Sequence, residues 1–167
     1  MAYTNANGKF FFCTTPQASD LTKDQFEALT WVEVKNVGKL PESGSTTNTV
    51  KYDTIDTNVT QKAKGVLDAG GGNLEVAYTL DDAGQAALRQ AALTNYMYAT
   101  KCELNDAPDD KHTNTVFYNR GIISGPTHSG GGVEDFVTEA FTIANNQIVV
   151  VVPPQLKSNR VTNHGFI

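Results

Sequence analysis

The chain has little of what a secreted scaffold, a zinc protein or a membrane protein needs. Its 167 residues hold two cysteines, Cys13 and Cys102, in unrelated contexts and with no CxxC. That gives neither a disulfide framework nor a zinc site any footing. The longest uninterrupted apolar run is Ile148–Val152, far short of the roughly 20 residues that span a bilayer. The opening MAYTNANGKFFFC lacks the charged and apolar parts of a signal peptide. A protein of a reducing cytoplasm, with no membrane partner, is the expectation. Basic charge is also scarce: 13 Lys and Arg stand against 18 Asp and Glu, a formal net charge of −5. Phosphate backbones are repelled on average, so a sequence-reading DNA-binding protein is excluded as a class. A surface that lets nucleic acid slide past would avoid being basic as well.

Chemistry is equally thin. His112, His128 and His164 have no second ligand at i+4 or CxxC-like spacing, which leaves them as solvated loop and tail residues. Neither cysteine stands in a nucleophile context and no GxSxG elbow occurs. The clusters Gly70–Gly72 and Gly130–Gly132 lack the lysine and Ser/Thr of a phosphate-binding loop and read as turns between strands. Asp81-Asp82 belongs to a helix start, where negative charge meets the helix dipole, and Asp109-Asp110 to a polar turn. The sequon at Asn58 is without a secretory context. No catalytic residue, metal or cofactor is expected, and the chain does not read as an enzyme.

What is present is alternation. At 40% hydrophobic content the length suits one domain over residues 1–167. Thr22-Lys-Asp-Gln25 is a possible capping box opening a short helix. Trp31–Val37 alternates as a strand with one wet face, and Thr49–Thr54 resumes the pattern, so the two read as a hairpin with an enlarged tip. Further strands are expected at Lys62–Leu67, Leu74–Thr79, Tyr96–Leu104, Val116–Ser124, Phe136–Ile143 and Gln147–Val152. Asp82–Leu93 is the main helix, with a capping box at Asp82 and Gln85 and with Ala87, Leu88, Ala91 and Ala92 at helical spacing. Residues 1–20 form an arm or first strand, and 153–167, after Pro153-Pro154, a C-terminal arm. The fold class is α+β: a mainly antiparallel β-sandwich or barrel with one flanking α-helix, a long first-hairpin loop and extended terminal arms. Phe10-Phe-Phe12 and Ile148–Val152 imply strands covered on both faces, by their own core or by a neighbouring subunit.

The enlarged tip comprises Leu40, Pro41, Glu42, Ser43, Gly44, Ser45, Thr46, Thr47 and Asn48. Hairpin loops usually have two to five residues, and longer ones tend to be functional or disordered. Together with Trp31-Val-Glu-Val34, Val50–Asp53, Lys64-Gly65, Asp68–Gly70 and Asp82–Leu88, and more loosely Gly121–Gly125 and Phe141–Ile143, this order of features resembles the tail tube (major tail) proteins of long-tailed bacteriophages. The likeness spans about residues 25–152. It departs from the pattern in the extra glycines after Asp68, and the immunoglobulin-like domain that some relatives append is not expected within these 167 residues.

The resemblance implies hexameric rings stacked into a virion tail tube, assembled in the host cytoplasm, with DNA passing down the lumen at infection without specific binding. It implies a continuous inner barrel built from six subunits, and partners in other copies of the chain, the tail tip, the tape-measure protein and the tail terminator. Leu40–Asn48 would then be an inter-ring assembly loop that orders only on docking. Glu75, Glu103 and Glu139 are possible lumen-facing residues, and Trp31 a possible subunit anchor. Two alternatives remain: a monomeric β-barrel module for a ligand or glycan, with Trp31 and tyrosines in a pocket, or another tube component such as a tail terminator or a type VI secretion tube subunit.

Overall fold

A computed structural model describes residues 2–157. It is mostly antiparallel sheet with little helix. The strands are β1 (Lys9–Phe12), β2 (Val32–Val34), β3 (Val37–Lys39), β4 (Thr46–Tyr52), β5 (Gln61–Asp68), β6 (Gly71–Ala77), β7 (Met97–Glu103), β8 (Val116–His128), β9 (Thr138–Asn145) and β10 (Val150–Val152); the helices are α1 (Lys23–Glu27) and α2 (Ala83–Ala92). The main sheet runs β2-β1-β7-β8-β9-β6-β3, with β10 alongside β8, while among the described residues β4 and β5 pair only with each other.

The order of the main sheet makes it curl. Its two outermost strands, β2 and β3, follow one another in the chain with only Lys35 and Asn36 between them, so the edges must come back together. Asn36 makes the corner at φ 60, a left-handed conformation that asparagine tolerates better than most residues. Register then decides what lies inside. Phe10 pairs with Val34 and Cys102, Phe141 with Leu74, Ile143 with Ile123, and Val37 with Val76. Directly paired residues share a face, so one alternating set from all these strands forms a single barrel-like core. Phe10, Phe12, Leu74, Val76 and Phe141 are at most 1% exposed. Burial pushes the Cys102 thiol up to about 12.

Helix α2 closes one mouth of this curl. Asp82 is its N-cap, and the Asp82 carboxylate accepts from the backbone N–H of Gln85 at 3.1 Å and of Lys35 at 3.2 Å. The expected reciprocal bond from the Gln85 side chain is absent; that amide is spent on the seam instead. Gln85 Nε2 donates to the carbonyls of Lys35 (2.9 Å) and Ala77 (3.0 Å), and its Oε1 accepts from Thr79 N–H at 3.0 Å. One wholly buried side chain thus joins the β2–β3 corner to the end of β6. Gly84 allows the approach, since a Cβ there would overlap the Glu33 carbonyl and the Val34 backbone.

A smaller core lies on the outer face, where Phe26, Leu29 and Trp31 pack over Tyr118, Ala99 and Val152. Both halves of the Thr22/Gln25 capping box form. Burial, with the Glu27 charge adding to it, raises the Tyr118 hydroxyl above its usual range. The segment before α1 is strapped down by Arg120, only 4% exposed, which donates to Asp20 Oδ1 at 2.5 Å and to the Gln17 carbonyl at 3.2 Å. Residues 2–20 therefore supply an internal strand and a strap. Of the C-terminal arm 153–167, the described part pairs Leu156 with His112; the rest, His164 included, lies outside the described residues.

Candidate assembly surface

The expected hairpin between Trp31–Val37 and Thr49–Thr54 does not form. β2 pairs with β1, β3 with β6, and β4 with β5. Alternation showed strands in this stretch but carried no information about partners.

Within the enlarged loop, Thr46, Thr47 and Asn48 already belong to β4. Leu40 packs against the main core. Ser43 Oγ accepts from Asn119 Nδ2 inside the barrel at 3.0 Å. Gly72 leaves room for Pro41 and Glu42, whose backbone a Cβ would overlap. Residues 40–43 therefore lie across the mouth opposite α2, because Leu40 has core to cover there and Ser43 has a buried partner. This part of the loop is placed within the subunit, contrary to the expectation that it orders only on docking.

The unpartnered element is the β4–β5 hairpin. Every residue of both strands is exposed except Gly65, which is partly covered. Its base joins the body at Gly70, whose N–H donates to Asp68 Oδ1 at 2.8 Å and whose carbonyl accepts from Asn145 N–H at 2.9 Å. The two faces of the ribbon differ. Val50 opposite Ala63 and Tyr52 opposite Gln61 make one face; Lys51 opposite Lys62 and Thr49 opposite Lys64 make the other. The tip carries Ile55, fully exposed, and Val59, 70% exposed. An isolated two-stranded ribbon is marginally stable in water, and both outer edges of this one are open to further pairing.

A second exposed apolar group sits at the other end of β6. The β8–β9 connection carries Val133, Phe136 and Val137, all more than half exposed, and Leu80 lies nearby at 71%. Tyr78 N–H bonds to the Val137 carbonyl at 2.8 Å, and the Tyr78 ring meets His128 edge-on at 6.0 Å, which holds the two segments side by side. Phe136 was expected in a strand, but β9 starts at Thr138. The acids Asp81, Glu134 and Asp135 edge this group and are exposed. β6 spans about 20 Å at the usual rise per residue, so the hairpin root and this patch stand at opposite ends of the subunit.

The three glutamates do not share a face. Glu75 is exposed on the outer face of β6. Glu103, half-buried on the outer face of β7, accepts from Asn114 Nδ2 at 3.1 Å. Glu139 points inward, wholly buried, and takes Arg89 Nη2 at 2.7 Å and Nε at 3.0 Å. It is bound to the helix side and cannot face a lumen on the opposite side. Alternation from Phe141 and Ile143 places Glu139 inward, and only the Arg89 partner, fifty residues away, makes that position tolerable. The Glu139 bond, with its charge, raises the Arg89 guanidinium further, while desolvation opposes it. Trp31 is half-buried; its Nε1 donates to the Phe26 carbonyl at 3.1 Å and its ring lies 5.9 Å from Tyr118. These contacts anchor the fold of the subunit itself.

The Asp109 carboxylate accepts from the Lys111 N–H and meets His112 Nδ1 at 2.6 Å, and the His112 bond is the main cause that holds it below its ordinary range. No group of three metal-ligating side chains occurs among the described residues, and no described helix is long and apolar enough to cross a membrane. No protein-family model matches the chain. Nor does any curated protein match it.

Proposed function

We propose that this chain is a structural subunit that polymerises with its own copies into a tail tube, the stacked hexameric conduit through which a long-tailed phage delivers DNA. The observation that carries the proposal is the β4–β5 hairpin, a free-standing ribbon with Val50, Tyr52, Ile55 and Val59 in solvent. Apolar side chains on an open-edged ribbon are an aggregation liability in a monomer and an adhesive in an assembly. The element that reaches a neighbouring ring is then this hairpin, and residues 40–45 are its mount. Contacts that close form the ring, and a heterologous contact that does not close extends it into a filament. The outer face of β6, β9 and β8, with Asn73, Thr142 and Ser124 exposed, Glu75 opposite Lys39 of β3, and Arg120 buried under the strap it holds, suits a lumen wall: small, nearly neutral and with little exposed cation to hold a phosphate. Tail tip, tape-measure protein and tail terminator would start, gauge and end the polymer.

The test is negative-stain microscopy with light scattering on purified protein over a wide concentration range, beside a chain in which residues 46–68 are replaced by a short Gly-Ser link. Six-fold rings or hollow tubes are expected from the intact chain alone. Tubes formed equally well without the hairpin would remove its role.

A further inference from the structure

Three lysines lie on one face of the hairpin, and Lys51 stands directly across from Lys62 with Lys64 one pair further along. Like charges directly opposite one another destabilise a strand pair. None of the three makes an ion pair among the described residues. In a ribbon with no core beneath it, this is a local conflict that no ion pair among the described residues relieves. At the far end of β6 the charge is reversed: Asp81, Glu134 and Asp135 edge the exposed Leu80, Val133, Phe136 and Val137, and segments 78–82 and 129–137 contain no Lys or Arg.

We infer that the acid-edged apolar patch at residues 80–81 and 133–137 is the docking surface for the hairpin of a second copy. The carboxylates of Asp81, Glu134 and Asp135 receive the lysine face, and the apolar side chains receive Ile55 and Val59 of the tip. The inference deepens the proposed self-assembly and rests on it. Two features single out this partner. The ribbon's lysine face has no ion pair among the described residues and the patch's segments hold no cation, while Asp53 and Asp56 stand at the ribbon's tip; and each end exposes apolar side chains that stay wet in the monomer. Because the two surfaces occupy opposite ends of the subunit, their union is head-to-tail and repeats without limit. The lysine ladder also acts as a brake, since the hairpin is penalised until carboxylates face it. Docking therefore weakens as salt shortens the Debye length, from about 10 Å at 0.1 M to about 3 Å at 1 M.

The experiment measures association by light scattering and sedimentation in low and high salt. It compares the intact chain, the hairpin-replaced chain, Lys51→Glu/Lys62→Glu, Asp81→Lys/Asp135→Lys and the chain carrying all four changes, with circular dichroism confirming each fold. Either reversal alone should weaken association about tenfold or more, and the four-fold variant should regain most of the loss. If both reversals associate like the intact chain, or the combined variant is no better than either, this docking surface is wrong while hairpin-driven assembly stands. If the intact chain stays monomeric at every concentration, or the hairpin-replaced chain associates equally well, the underlying reading falls and takes this one with it.

Discussion

Removing the Arg89 guanidinium would leave the Glu139 carboxylate buried without a cation, beside a Gln85 amide already committed to the seam. Breaking a buried pair from one side costs about 3–5 kcal/mol. Arg89 keeps 22% of its side-chain surface in water, so Arg89→Ala should fall near the low end, about 3 kcal/mol. Glu139→Gln should cost less, because the neutral amide can still accept. Urea midpoints at neutral pH distinguish the two; equal midpoints would mean that the pair is not what holds α2 to β9. At Asp106 desolvation pushes the carboxyl up, but the Thr115 hydroxyl at 2.6 Å and backbone N–H at 2.8 Å outweigh it and leave the group below its reference value of 3.8. A depressed folded value means a contribution present above the unfolded value and lost as pH falls through the folded one. Thr115→Val should raise the Asp106 titration midpoint toward 3.8, read by carboxyl NMR, and shift loosening of the 105–115 connection to higher pH.

Among the elements, α2 is where local preference and packing disagree. In an exposed helix, glycine to alanine is favourable by about 1 kcal/mol. At Gly84 the new methyl meets the backbone of Glu33 and Val34, and overpacking of this kind costs about 1–3 kcal/mol. Gly84→Ala should therefore lower the melting temperature, and a rise would show that β2 yields easily. Both helices were legible in the sequence from their caps, and most strands from alternation. The stretch from Trp31 to Thr54 was legible as strands but not as pairings. It holds three strands belonging to three different pairs, and its strand-ending signal was a single Asn36 at positive φ. In the candidate assembly surface, Leu40–Asn48 overlaps only the start of β4, and the projecting ribbon needed the partner of β4, a non-local fact. Alternation with Phe141 and Ile143 already turned Glu139 inward; what no local pattern shows is the cation fifty residues away that makes its burial tolerable.

At the scale of the whole molecule, the subunit is polarised. One end carries an uncovered ribbon, the other an uncovered apolar patch, and between them lies a curled sheet whose outer β6–β9–β8 face is almost free of charge. A particle built this way has a built-in direction, so a polymer of the proposed kind would have two unlike ends. The closure of that sheet has a consequence in time as well as space. Because β2 and β3 are successive strands docked on opposite margins, both can be in place only when β1 and β6 have been brought to about two strand spacings of each other, roughly 10 Å. Long-range pairing of that sort is slow to form, and a two-residue corner sealed by Gln85 cannot release one strand while keeping the other. Segment 32–39 should consequently exchange its amide hydrogens with solvent as one cooperative unit, opening all together or not at all.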